Sequence, residues 1–337
     1  MKPVTAHGFS WRDGERTIRF GRGVAAEAVA ALDGPGYLLL TTPRAAAQLA
    51  PVAAAAAGVH HVPAGTVPEL AAAALAWART AGGDGRVVAL GGGRVIDVAK
   101  AVAAALGGGA RAMAVPTTLS GAEMTRGHRH AEGIDEATPR VRCAIVVCDP
   151  LLAASQPEPE LAASALNALG HAVEAPCTVA ANPVATLVAH DAARRLVGAF
   201  SGDEPDREEL ALGALLAGYT IDSAGFGLHH VLSQTLVRHR LAAHGAANAI
   251  MLPRSVPALA RRFPEAHAAL ASALGEDPAA AAARLCALTG ATRLRELGVD
   301  AGALDTCVET AAARRELGHT PPRAGREELR ALYEAAW

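Results

Sequence analysis

The stretch that decides the fold is Val87-Val88-Ala89-Leu90-Gly91-Gly92-Gly93-Arg94-Val95-Ile96-Asp97-Val98-Ala99-Lys100. It reads as an apolar strand, a glycine turn and the start of a helix. Glycines let the backbone come close to a pyrophosphate, and free N–H groups at a helix N-terminus favour an anion. The stretch is not GxGxxG, so the usual dinucleotide fingerprint is absent. A tight strand-to-helix turn with no ligand has the same appearance on this stretch alone.

Similar units lie on both sides. Thr17–Phe20 reads as a strand and Val24–Leu32 as a helix that stops at Gly34-Pro35-Gly36. Tyr37–Thr41 is a buried strand, Pro68–Ala81 a helix, Arg86–Leu90 a strand and Val95–Leu106 a helix. Ala112–Val115 and Ala144–Cys148 are further strands. This alternation predicts an α/β domain, a parallel sheet with helices on both faces, over residues 1–152. After Asp149-Pro150 strand-like runs disappear, and residues 153–337 are expected to form an all-helical domain carrying the substrate and catalytic groups.

Composition excludes several roles. The 337 residues are 51% hydrophobic and 19% charged, a globular balance, with a formal net charge of −2 that does not invite nucleic acid. Met1–Gly14 is polar and broken by Pro3 and Gly8, so it does not read as a signal peptide. No apolar run reaches the ~18 residues of a membrane span. The five cysteines are scattered and form no CxxC, which reads as reduced thiols in a cytoplasmic protein.

Three further stretches carry chemistry. Pro116-Thr117-Thr118-Leu119-Ser120-Gly121-Ala122-Glu123 sets small hydroxyl residues after a strand, where they can bind phosphate or a ribose. It reads equally as a helix start, with Ser120 and Glu123 as a capping box. In Asn167-Ala168-Leu169-Gly170-His171-Ala172-Val173-Glu174-Ala175, Asn167 and His171 share a helical face. Gly227-Leu228-His229-His230 is followed by His244-Gly245-Ala246-Ala247-Asn248. His171, His230 and His244 in one apolar half suggest proton transfer or a metal; hydrogen-bonded core histidines are the plain alternative.

Taken together, GGGxxxDxAK at Gly91–Lys100, PTTxSGxE at Pro116–Glu123, the Asp149-Pro150 step, NAxxHxxEA at Asn167–Ala175, GLHHxL at Gly227–Leu232 and HGxxNAIxLP at His244–Pro253 resemble the iron-containing alcohol dehydrogenase superfamily. The resemblance implies a dehydroquinate synthase-like fold and NAD- or NADP-dependent carbonyl chemistry in a cleft between two domains. It implies cofactor contacts from Gly91, Gly92, Gly93, Asp97, Thr117, Thr118 and Ser120, and a homodimer as a common assembly. In metal-dependent members an Asp and three His hold the metal, and the matching positions are Asn167, His171, His230 and His244. Asn167 replaces the only anionic ligand, which hard divalent ions favour. That Asn, the doubled His and Asn182-Pro183 resemble the maleylacetate reductase branch, so no metal is expected to be required; if one is present, His171, His230 and His244 are its ligands.

Two departures bear on the substrate. Gln234 stands where the superfamily usually has a His near the nicotinamide, with Val237 in place of a Gly. Residues 126–142 are rich in His and Arg (His128, Arg129, His130, Arg140, Arg142), unlike typical maleylacetate reductases. The expected reaction is reduction of a carbonyl or enone in a small molecule, a carboxylic acid held by Arg126 or Arg129 being one form, with His171, His230, His244, Asn167 and Gln234 as catalytic residues. One imidazole is expected to be protonated and to donate the proton. A lyase or cyclase of the dehydroquinate synthase type without net redox turnover is the alternative, and a binding protein that keeps the fold is a third. The strand ending at Thr41-Thr42-Pro43 has no acidic residue to reject a 2′-phosphate, so NAD and NADP both remain open.

Overall fold

The computed structural model describes residues 8–337. The reading of the polar start falls mostly on residues 1–7, outside the described residues. The chain divides into two compact units, one ending at Ser155 and the other running from Gln156 to Trp337.

The first unit is built on a seven-stranded sheet: β1 (Phe9–Asp13), β2 (Arg16–Phe20), β3 (Leu38–Thr41), β4 (Gly58–His61), β5 (Arg86–Gly91), β6 (Arg111–Pro116) and β7 (Cys143–Cys148). The order across it is β1-β2-β7-β6-β5-β3-β4. Every neighbouring pair is parallel except the β1–β2 hairpin. Leu39, Val88, Leu90, Met113, Val115, Ile145 and Val147 form one apolar cluster with Ala28, Leu32, Ala45 and Val52 from the short helices α1 (Ala28–Ala31), α2 (Pro43–Gln48) and α3 (Ala50–Ala54). The alternate residues Leu38, Leu40, Val87, Ala89, Ala112, Ala114 and Val146 are buried too. Side chains alternate across a sheet, so both faces are covered, as parallel strands require. Helices α4 (Val67–Ala81) and α5 (Gly93–Leu106) pack on one another and on β3, β5 and β6.

Chain order turns back once in this sheet. β4 follows β3 on one side, whereas β5, β6 and β7 continue on the other. The carboxyl ends of β3 and β5 therefore flank a switch point, the usual ligand position of an open α/β sheet. β5 pairs with β6 so that Gly91 lies beside Pro116, and the two loops that follow leave the sheet side by side.

Several readings change. Val24–Leu32 begins as a 3-10 turn, Val24–Glu27, and only Ala28–Ala31 is α-helical. Ser120 and Glu123 do not form a capping box, because no helix starts there. Gly121 adopts φ +69°, which turns the chain away from a helical path, and Ser120 Oγ instead accepts from Ala122 N at 3.2 Å. Glu123 is buried, and burial pushes its pKa up to about 7. The division at Ser155 follows from α6 (Pro150–Ala153), whose Leu152 packs on the sheet cluster. Asp149 caps this helix through Leu151 N and reaches back to Ala25 N.

The second unit is helical: α7 (Glu158–Glu174), α8 (Pro183–Gly198), α9 (Arg207–Ala224), α10 (Leu228–Arg238), α11 (His244–Arg262) and four further α-helices to Ala336. Among the described residues no single helix is long and apolar enough to cross a membrane. All five cysteines are free and buried. Burial pushes the thiols of Cys143 and Cys177 up to about 12, so neither is a ready nucleophile.

Lys100 is fully buried on α5. Its ammonium donates to the carbonyls of Ala122 (2.8 Å), Thr125 (3.0 Å) and Gly127 (2.9 Å), and pairs with Asp97 at 2.8 Å. This one cation fixes the irregular segment after β6 onto α5. Lys100→Met leaves those acceptors without their donor and is expected to cost about 3 kcal/mol of stability. Urea unfolding measures it, and an unchanged midpoint would contradict the assignment.

Candidate active site

In the first unit the glycine turn and the Pro116 loop meet. A Cβ on Gly92 would lie 2.9 Å from Thr118 Cγ2, and one on Gly93 would lie 2.8 Å from Ser120 Cβ. The glycines are therefore required by close approach. Neither has a positive φ. Gly92 offers no side-chain cap to α5, and among the described residues no side chain accepts from the N–H groups of Gly93, Arg94 and Val95. An uncapped 14-residue helix thus begins at the carboxyl end of a central parallel strand. Its open donors, with the Thr118 and Ser120 hydroxyls beside them, suit a phosphate group. Thr117 N donates to Gly91 O at 3.0 Å, which carries the pairing of β5 and β6 one residue beyond the sheet. Asp97 is paired with Lys100, and its side chain keeps 30% of its exposure.

In the second unit α7 carries Asn167, His171 and Glu174, α10 carries His229, His230 and Gln234, and α11 carries His244, Asn248 and Ser255. The first three repeat at helical spacing and share a face. The rings of His171 and His230 lie 4.7 Å apart between centroids, inclined by 17°. His229 meets His230 edge-on at 4.8 Å, and Phe226 flanks His230 at 5.7 Å. His244, exposed at the first position of α11, joins them through Asn167, with Nε2 donating to Asn167 Oδ1 at 3.1 Å. Asn248 lies beside it and donates to His244 O at 2.8 Å.

Glu174 organises this cluster. It is fully buried. Its carboxylate accepts from His229 N at 2.7 Å, His230 N at 3.4 Å and His230 Nδ1 at 2.7 Å. Burial raises its pKa, and His229 and the backbone donors oppose that shift. Gly170 gives α10 room, since a Cβ there would stand 2.6 Å from His229 Nε2. His229 Nδ1 donates to Ser255 Oγ at 2.9 Å, which passes its own proton to Leu252 O.

Within this cluster three buried ring nitrogens have no partner: His171 Nδ1, His229 Nε2 and His230 Nε2. Bare polar atoms at such depth are costly and mark places where a ligand completes the bonding. Burial, then His230 and His244, push the pKa of His171 well below its ordinary value. Burial pushes His229 and His230 down to about 3. The expected resident imidazolium is thereby corrected: the buried histidines stand neutral, because desolvation outweighs the opposing pull that the Glu174 carboxylate exerts on His229.

The donor set does not fit a metal as it is arranged. Asn167 Oδ1 and His244 Nε2 are bonded to each other. Among the described residues no three His, Cys, Asp or Glu side chains are placed to hold one.

Gln234 is not beside the bare nitrogens by any bond of its own; its Oε1 accepts from Arg314 Nη2 at 3.0 Å. Arg314 also clamps Glu316 at 2.6 and 3.0 Å, and that bond holds Glu316 down to about 2. In the first unit, His128 and His130 are buried with rings 5.3 Å apart, whereas Arg126 and Arg129 are exposed. Sequence reasoning gave no role to Glu174, His229 or Arg314. For Glu174 the signal was present, since it stands three residues after His171 on the same face.

Comparison with known proteins identifies the family. Residues 15–150 match the model of the iron-containing alcohol dehydrogenases, and residues 161–337 match that of the Fe-containing alcohol dehydrogenase family, C-terminal. The chain belongs to the iron-containing alcohol dehydrogenase family. Within it the chain falls in the maleylacetate reductase-like branch and is an oxidoreductase. It is 34% identical to maleylacetate reductase 1 of Rhodococcus opacus, covering 81% of this chain and 78% of that protein. Against the maleylacetate reductase of Rhizobium sp. strain MTP-10005 it is 31% identical over 95% of each. The crystal structure of maleylacetate reductase from that Rhizobium strain superposes with a TM-score of 0.82 at 28% identity, covering 100% of this chain and 99% of the other. The one from Agrobacterium tumefaciens gives 0.81 at 29%, covering 98% and 97%.

The depressed histidines make this family member acid-sensitive. With folded pKa values near 3 against an ordinary 6.5, the unfolded chain binds protons that the folded chain refuses. Stability is therefore fully present above about pH 6.5 and is lost as pH falls toward about 3. Urea midpoints at about pH 7.5 and about pH 5 should show the fall, and His229→Gln should lessen it. An equal fall in that variant would contradict the assignment.

Proposed function

We propose that the chain is an NAD(P)H-dependent reductase of a carbonyl or conjugated enone in a small oxo acid, acting without a required metal. The observation that carries this reading is the pair His171–His230, two neutral buried rings with bare nitrogens, held beside an Asn167–His244 bond. Its support from relatives is their naming as maleylacetate reductases.

The first unit holds the nucleotide. The N–H groups at the start of α5 take the pyrophosphate, with Gly92 and Gly93 setting how closely Thr118 and Ser120 approach. Thr41 and Thr42, at the end of β3, present no carboxylate, so a 2′-phosphate is tolerated and both nucleotides bind. A bound reduced nicotinamide supplies the hydride.

The second unit manages the proton. Hydride addition leaves an alkoxide on the substrate, and a weakly basic imidazole that has taken up a proton gives it readily to that oxygen. His230 keeps its Nδ1 proton on Glu174, so its bare Nε2 takes up a second proton and passes it to the substrate oxygen while Glu174 balances the transient positive charge. His171 lies beside it, and His244, exposed to solvent, supplies the proton that His230 relays. The lyase reading gains nothing from these observations.

Fluorescence titration with NADH and NADPH tests the first half. Binding of both is expected, at least tenfold weaker in Gly93→Ala, whose Cβ has no room. Turnover of maleylacetate and related oxo acids tests the second. His230→Ala should lower kcat by about 100-fold or more. An unchanged kcat removes His230 from the chemistry.

A further inference from the structure

The first turn of α10 has three N–H groups that no helical carbonyl can serve. Its N-cap, Gly227, has no side chain, and each donor is taken by a distant residue. Leu228 N donates to Thr320 Oγ1 at 3.1 Å, His229 N to Glu174 Oε1 at 2.7 Å and His230 N to Glu174 Oε2 at 3.4 Å. The same Oε2 lies 2.7 Å from His230 Nδ1. A carboxylate oxygen only accepts, so the proton on that contact belongs to the ring.

We infer that Glu174 is a positioning residue that sets the tautomer and the direction of the His230 ring, so that Nε2 rather than Nδ1 is the working nitrogen. One side chain fixes backbone and ring together, and the ring cannot turn over without breaking a buried charge-assisted bond. The bare Nε2 agrees with this: it is buried without a partner although the ring's Nδ1 and the three backbone donors of the turn have theirs. His229 contrasts with it. Its Nδ1 is spent on Ser255, and its Nε2 faces Gly170, where there is no room for even a methyl group. Of the paired histidines only His230 is therefore placed to work.

This inference rests on the proposed role of His230, and the test keeps the two apart. Glu174→Gln preserves shape and the bond from His229 N. The amide then turns its NH2 toward His230 Nδ1, which must become an acceptor, and the proton moves to Nε2. Nitrogen NMR of the whole protein labelled at histidine, with His230→Gln to assign the signal, reads the tautomer directly. The wild-type ring is expected with the proton on Nδ1, and Glu174→Gln with it on Nε2. The kcat is expected to fall about 10–100-fold while the KM for the nucleotide stays within twofold, as for other residues that orient a working imidazole. Glu174→Asp keeps the wild-type tautomer and recovers part of kcat. A proton on Nε2 in the wild type overturns the inference even if no variant folds, and so does an unmoved tautomer in folded Glu174→Gln. A switched tautomer with unchanged kcat supports the positioning and removes His230 from the proposed chemistry instead.

Discussion

A carboxylate with no exposure to water must be matched by donors, and at Glu174 this constraint organises the second unit. The donors come from the opening of α10 and from the His230 ring. To supply them, α7 and α10 must come very close, which Gly170 permits. Gly227 is confined in the same way, since a Cβ there would lie 1.8 Å from Thr320 Oγ1. Burial leaves the histidines neutral, and the helix N-terminus takes the role that a positive charge would otherwise have beside the carboxylate. The carboxylate at the end of α7 sits against the unfavourable pole of its own helix and the favourable pole of α10.

The two glycine-led helix starts, α5 and α10, show how similar sequence can serve opposite ends. In α10 the first-turn donors are spent inside the protein. In α5 they stay open, and Gly92 and Gly93 yield space to Thr118 and Ser120 from the adjacent loop. Only the open end can receive an anion. Lys100 lies behind that loop, and its three carbonyl partners hold the irregular segment where a helix cap was expected.

Much of the sheet was legible in the sequence because parallel strands buried on both faces are apolar runs bounded by glycine or proline. β5, β6 and β7 are of that kind. β1 and β4 were not, since each is an edge strand. FSWRD is half exposed, and GVHH alternates with histidine on its outer side. The capping box failed at Gly121, whose positive φ overrides a pattern that Ser120 and Glu123 satisfy on paper. In the second unit, helical spacing showed that Asn167 and His171 share a face. It could not show that Asn167 would bond His244, since that contact joins residues 77 apart. Protonation was also beyond it, because desolvation depends on what packs around a ring. The Arg314–Gln234 bond joins residues 80 apart and left no local signal either.

The proposed function requires a proton-handling site that works through side chains alone, with Asn167 and His244 engaged with each other rather than with an ion. Single-turnover oxidation of NADH with maleylacetate, followed by stopped-flow absorbance after exhaustive chelation, measures this most directly. Full-amplitude turnover that added zinc or ferrous ion does not accelerate is the predicted result. A chelated protein that is inert and recovers with one equivalent of metal would contradict the account and return Asn167, His171, His230 and His244 to the role of ligands.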